Sequence, residues 1–499
     1  MLLPISKLGV SALVCLGGMG ANGIDLPKMF GSRMVLQQGE GTRIWGKSKC
    51  PSVSMEHQNG NEKMSYSAKV AADTTWEIEL HPQKVSTNNK LVFTDCHGSV
   101  ELDDVLFGEL FFCSGQSNME FSVNQELDHD KVIQEAHKFK NLRWMTGDRV
   151  EAKTPIWDVK PKTNQSWWAG SVEAFGKDDF SEPSAVCYMT CLNLYKHMGE
   201  KVPIGFVGSY WGGQPVEKFS SADAMNDPTC GGTVENPVVS NPQWQHVNGV
   251  LYNSLVYPYL RMNFKSLMWY QGEANANDAV HYKCRFPSMI SDWRKKMNKP
   301  RLPFYFVQLA DFQSNDFIAL REAQMEALKL PKVGYALAID TGNKKDIHPK
   351  DKKTVGKRLF LSILKHTYNC PKVESDIGPS LHHIEIKGNV ATIVYNENTA
   401  KNMFQNGTQD CGVCCKESPF QVKYEGNSTW VRIPPNVSNN IVTLQLTGKV
   451  SEIQYAYEKF VECSLYSRFG GLSGDLPARP FHAKTSGKTN QADPLSSLA

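Results

Sequence analysis

Between residues 105 and 370 the chain keeps changing its hydrophobic period, and this alternation restricts the fold more than any other feature. Short apolar runs at 105–112, 142–145, 204–208, 264–270, 304–309 and 333–339 have the length and the β-branched and aromatic content of strands buried on both faces. Between them, stretches such as 184–198, 317–330 and 350–366 repeat apolar residues at helical spacing. Strands separated by helices do not pair as hairpins; they build a parallel sheet with helices on both faces. A doubly wound α/β core is expected over 105–370, with the polar, tryptophan-bearing stretches near 150–180 and 220–247 as loops or insertions over the sheet.

The flanks read differently. At 499 residues the chain is too long for one ordinary core. Residues 24–104 hold short β-like runs separated by Gly, Asn and Pro, the pattern of a small β-sandwich. A β pattern returns over 371–484 and predicts a C-terminal β-rich domain. The tail, 485–499, is rich in Ser, Thr, Asn and Lys and is expected to be loose.

Charge excludes little but is informative. Lys+Arg 54 against Asp+Glu 51 leaves +3 without a basic block, so neither nucleic acid nor an anionic membrane is indicated as a partner. Residues 1–23 place one lysine before an apolar run and then small residues, the layout of a secretory signal peptide too short to span a bilayer; the alternative is an uncleaved N-terminal strand. No later stretch is apolar for long enough to be a membrane helix. Of 13 cysteines, Cys15 falls in that segment, leaving an even number for disulfides. Cys411, Cys414 and Cys415 lack a partner set at zinc spacing. Sequons at Asn164, Asn406, Asn427 and Asn436 fit a glycoprotein of the secretory pathway, lysosomal or extracellular.

Parallel sheets bind ligands beyond the carboxyl ends of their strands, and the unusual polar segments of this chain fall there. The first strand runs into CSGQSNM at 113–119. The 204–208 run is followed by Ser209-Tyr210-Trp211-Gly212-Gly213, the 264–270 run by Gln271-Gly272-Glu273-Ala274-Asn275, and the 333–339 run by Asp340 and then Asp346-Ile347-His348-Pro349. A serine hydroxyl needs an adjacent base to become a nucleophile, and His348 is the histidine this strand order brings to the same edge. Ser117 and His348 are thus the candidate nucleophile and general base. Attack on an ester develops an oxyanion, for which the Ser117 N–H, a glycine N–H from Gly212 or Gly213, and the Gln271 amide are candidate donors. Gln116, Asn118, Trp211 and Glu273 share the edge as candidate substrate contacts, Glu273 being equally suited to bonding neighbouring backbone amides. Structural roles compete: Ser117 suits a helix N-cap, and Pro349 suits a helix start after His348.

GQSNM with WYQGEAN at 269–275 and DIHP at 346–349, supported by Met34-Val35-Leu36-Gln37 and Gly108-Glu109, closely resembles the sialate O-acetylesterases, a sialic acid-specific carbohydrate-esterase branch of the SGNH hydrolases. The resemblance runs from about residue 26 to at least 360. It implies the flavodoxin-like SGNH fold and hydrolysis of O-acetyl esters on sialic acids, without metal or other cofactor, by Ser117 and His348. Many SGNH hydrolases carry the orienting aspartate three residues before the histidine; here that position is Lys345, so Asp346 is the expected third member and Asp340 the fallback. Where many relatives use an oxyanion asparagine, this chain has Gln271. A sialic acid brings a carboxylate, for which Arg321 on a helical stretch is a candidate partner, a surface salt bridge being its other reading. The rival functions are an esterase acting on another O-acetylated glycan, a non-catalytic secreted glycan-binding protein and a disulfide-rich structural protein.

Overall fold

The strand Gly98–Gly115 (β1) organises the molecule and shows in its burial how one segment serves two sheets. Its first half alternates exposed and buried residues, and its second half, from Val105, is buried throughout. The first half pairs antiparallel with Ser86–Asp95, whose other neighbour is Ser52–Asn59, which in turn pairs with Glu62–Lys69. The second half lies between parallel neighbours, as a continuously apolar strand must. In the computed structural model, which describes residues 23–230, 248–407 and 417–485, the turn between the halves falls at Asp104, with φ +55. Arg143 fixes it, Nη1 donating to the Asp104 carbonyl at 2.7 Å and Nη2 to its carboxylate at 2.9 Å. The boundary expected at 104 therefore lies inside one unbroken strand, and the N-terminal β region shares its hydrophobic core with the α/β region. The signal-peptide segment up to residue 22, the 231–247 part of the long loop and the tail from 486 lie outside the described residues.

The expected parallel sheet is present. Besides β1 it contains Leu142–Thr146 (β2), Ile204–Tyr210 (β3), Ser266–Tyr270 (β4), Phe304–Gln308 (β5) and Val333–Leu337 (β6), in the order β6-β5-β4-β1-β3-β2, with a short antiparallel strand, Trp168–Ala169, at the edge. β1 sits at the centre, between β3 and β4, and strand order reverses around it, which makes its carboxyl end the topological switch point. Ser117–Glu120 (α1) begins there. Side chains alternate across the sheet: Phe112 meets Trp293 of Ala279–Lys296 (α3), ring centroids 6.0 Å apart, whereas Cys113 is disulfide-bonded to Cys187 of Ala185–His197 (α2). Ile318–Met325 (α4) and Lys352–His366 (α5) complete the helices used below. α2 starts on a Ser184 cap that accepts from the Cys187 N–H, α5 on Asp351, which accepts from the Thr354 N–H.

The C-terminal β region has its own core, built on Leu381, Ile393, Val442 and Tyr455 among others. It docks on the carboxyl ends of β5 and β6, through Tyr466 Oη to Asp340 Oδ2 at 3.0 Å and Val461 N to Asp311 Oδ2 at 2.6 Å. That half of the sheet edge is covered. The half over β1, β3 and β4 is open. Disulfides Cys50–Cys96 and Cys230–Cys284 tie surface segments, and Cys463 is also bonded, but Cys191 and Cys370 are free thiols, so the even cysteine count does not mean complete pairing. All four sequon asparagines are exposed.

Candidate active site

At the open half of the edge a cavity of about 710 Å³ is lined by residues following β1, β2, β3, β4 and β6. Ser117 and His348 both face it. Gly115, with φ +140, turns the chain out of β1 where a Cβ would lie 2.2 Å from the Tyr270 carbonyl, so only glycine fits. Gln116 locks the turn, its N–H donating to that carbonyl at 3.0 Å while its Oε1 accepts from the Gly272 and Ala274 N–H groups. Ser117 opens α1, leaving its N–H without an intrahelical acceptor. Gly212 approaches from the loop after β3, where a Cβ would come 3.1 Å from Ser117 Cβ.

His348 reaches the cavity on the long loop after β6. Among the described residues no hydrogen bond joins it to Ser117; in ligand-free enzymes such contacts are commonly long and close on substrate. The Phe180 ring stands edge-on to the imidazole at 5.2 Å. Asp346 accepts from the His348 N–H at 2.9 Å, and its Oδ1 is 3.6 Å from Nδ1, beyond hydrogen-bond length; the carboxylate is 52% exposed. Asp340 is remote from this role, bound by Arg358 at 2.6 and 2.7 Å.

Asn118 joins the two loops. Its Nδ2 donates to the carbonyl of Ile347, immediately before His348, at 3.0 Å and to Glu273 Oε1 at 2.5 Å, and its Oδ1 accepts from Lys352 Nζ at 2.5 Å. Lys352 is fully buried beneath, against the Phe121 and Tyr270 rings. Burial pulls the lysine down to about 7 and pushes the Glu273 carboxyl up. The same burial, reinforced by the Lys352 charge and opposed by Asp346, holds His348 below its ordinary value.

Other expected residues are placed differently. Gln271 is buried and does not line the cavity; its Nε2 donates to the Gln214 carbonyl and Asn275 Oδ1, and its Oε1 accepts from Tyr282 Oη. It shapes the glycine loop from behind and offers no free donor to an oxyanion. The Gly212 N–H is taken by Glu120 Oε2 at 2.8 Å. Gly213, with φ +71, lines the cavity, as do Gln116, Trp211 and Glu273, whereas Asn118 is structural filling beneath it. Arg321 is buried under the C-terminal β region, donating to the Glu458 carbonyl at 2.6 Å, and lines a separate cavity. The cations that do line the site, Arg149 and Lys218, follow β2 and β3. Sequence reasoning misses Arg149, although the rule that finds the other loops applies to it: it lies just past the 142–145 run.

An open parallel sheet with β-rich flanks and a serine turn facing a histidine loop at its switch point is the architecture of an SGNH-type hydrolase. The fold recurs in the crystal structure of a carbohydrate acetylesterase from Xanthomonas citri, with a TM-score of 0.76, 24% identity and coverage of 93% of this chain and 100% of that one. Residues 108–365 match the family of carbohydrate esterases described as sialic acid-specific acetylesterase, and the chain belongs to it. It is similar to the sialate O-acetylesterases of Homo sapiens, 28% identical with 92% of each chain covered, and of Mus musculus, 27% identical with 91% of this chain and 93% of that one covered. The chain is thus an ester hydrolase, and every residue lining the cavity lies within the matched segment.

Proposed function

We propose that this esterase removes O-acetyl groups from sialic acids through an acetyl-serine intermediate on Ser117. The reading is carried by the convergence of Ser117 and His348, from the first and last strands of the sheet, on one cavity. His348 takes the hydroxyl proton as Ser117 Oγ attacks the acetyl carbonyl. The oxyanion faces the N–H groups of Ser117 and Gly213. Collapse passes the imidazolium proton to the sugar oxygen, freeing the deacetylated sugar. Water, deprotonated by His348, then attacks the acetyl-serine, and acetate leaves as the proton returns to Ser117. Asp346 steadies the imidazole. The substrate class is supported by the family match and by the names of the relatives. Export along the secretory pathway is supported by exposed sequons and disulfides, and no helix among the described residues is long and apolar enough to cross a membrane.

The test compares acetate release from O-acetylated sialic acid and from acetylated xylan. Faster turnover of the sialic acid is expected; preference for xylan overturns the substrate, and failure of a fluorophosphonate to label Ser117 overturns the nucleophile. Because Asp346 is half exposed and beyond bonding distance of Nδ1, Asp346→Asn is expected to lower kcat only about 10-fold, far less than the loss from a buried triad aspartate.

The protonation of His348 sets the acid limb. Only neutral imidazole accepts the serine proton, so activity falls as pH drops through its pKa, and a depressed pKa places the midpoint of kcat/KM below the ordinary 6.5. In that range Lys352 is protonated and opposes the imidazolium. Lys352→Met therefore moves the midpoint upward, whatever it does to the plateau; a pH–rate profile with an unmoved or lowered midpoint would contradict this.

A further inference from the structure

We infer that Arg149 is the carboxylate-binding residue of the cavity, the contact that makes it selective for an acidic sugar; this rests on the reading of the substrate as a sialic acid. A guanidinium has donors on more than one edge. Arg149 directs one edge inward: Nε donates to Glu120 Oε1 at 2.7 Å, and Nη2 lies 2.7 Å from the same oxygen. The remaining N–H groups of Nη1 and Nη2 form a second edge, paired with no carboxylate among the described residues. The side chain is 41% exposed and lines the cavity, whereas Glu120 behind it is 1% exposed. A planar edge with two parallel donors is the geometric complement of a carboxylate, and neutral sugars have no group that uses it equally well.

The alternatives are occupied. Lys218, the other lining cation, is 5% exposed and paired with Glu151 at 2.6 Å. Lys162 lies 3.5 Å from Glu120 but donates to the carbonyls of Phe180 and Ser181. A purely structural role for Arg149 is weakened by this same arrangement, since Glu120 already has Lys162 nearby and the Gly212 N–H at 2.8 Å. Glu120 also sits on α1, three residues after Ser117, so one buried carboxylate fixes the arginine, the glycine loop and the helix of the nucleophile in a single frame. A substrate whose carboxylate docks on Arg149 is thereby aligned with the serine.

The experiment measures kcat/KM of wild type, Arg149→Met and Arg149→Lys on an O-acetylated sialic acid and on its C1 methyl ester, which keeps the acetyl group and loses the charge. Wild type is expected to prefer the acid. In Arg149→Met that preference falls by about 10- to 100-fold, through KM rather than kcat. Arg149→Lys, retaining charge without the fork, recovers part of it and carries the test if the methionine variant does not fold. Either variant keeping the full wild-type preference overturns the role of Arg149 while leaving the substrate reading intact. Wild type treating acid and ester alike overturns it too, and release of acetate only from a neutral glycan removes the substrate reading with it.

Discussion

Ser117→Ala is expected to lower kcat for acetate release by on the order of 10⁴-fold or more while leaving the fold intact. The two halves of that expectation have separate physical grounds. Without the hydroxyl no acetyl-serine forms, and only binding and the backbone donors remain to accelerate direct attack by water. Structurally the oxygen does little: among the described residues it has no hydrogen-bond partner, and the adjacent N-cap position is Gln116, whose side chain makes no cap bond. The Ser117 Cβ, which packs so close to Gly212 that a Cβ there would meet it at 3.1 Å, survives the change. Melting temperature should therefore stay within a few degrees of wild type. Combining Ser117→Ala with His348→Ala should cost little more than either alone, because a base without its nucleophile has nothing to deprotonate. A Ser117→Ala enzyme within tenfold of wild type, or a fully additive double variant, would remove the nucleophile assignment.

The loops that carry Ser117 and His348 are legible in the sequence because a buried parallel strand must end somewhere, and polar or glycine-rich residues directly after it have no packing role. What the residues around the serine actually bond to is not legible. Gln271 stands at the right edge by sequence, yet its amide points back to Gln214 and Asn275, a side-chain direction no periodicity encodes. Arg321 and Asp340 also lie at that edge, but the C-terminal β region claims it there, a docking that only tertiary structure reveals. Residue 104 resembles a border because the burial pattern changes from alternating to continuous; the strand bends there, at the positive φ of Asp104, but does not end. Helix α3 does not stand out in sequence, since Pro287 lies inside it. These misreadings share a cause: sequence pattern reports which face an element buries, whereas a site depends on which of several nearby partners each polar group takes.

Asn118→Ala is the second large effect expected, and it separates alignment from chemistry because Asn118 takes no part in bond making. One amide here bridges the nucleophile's helix, the loop after β4 and the carbonyl before His348, through bonds of 2.5 to 3.0 Å. Removing it leaves Lys352 Nζ and Glu273 Oε1 without the group that satisfies both, in a place where Glu273 Oε2 already lacks a partner among the described residues. Buried polar atoms stripped of a bond cost about 1–3 kcal/mol each, so a stability loss of about 2–4 kcal/mol in denaturant unfolding follows. The Ile347 carbonyl is also released, and a shift of the His348 loop by about 1 Å would lower kcat by about 10²-fold. The two readouts respond to different variants. Lys352→Met removes the buried ammonium but leaves Asn118 holding Ile347, so it should retain much more of kcat than Asn118→Ala while moving the acid limb upward. If Asn118→Ala unfolds at the wild-type denaturant concentration and turns over at the wild-type rate, the bridge does not set the spacing between serine and histidine, and their alignment must come from the sheet alone.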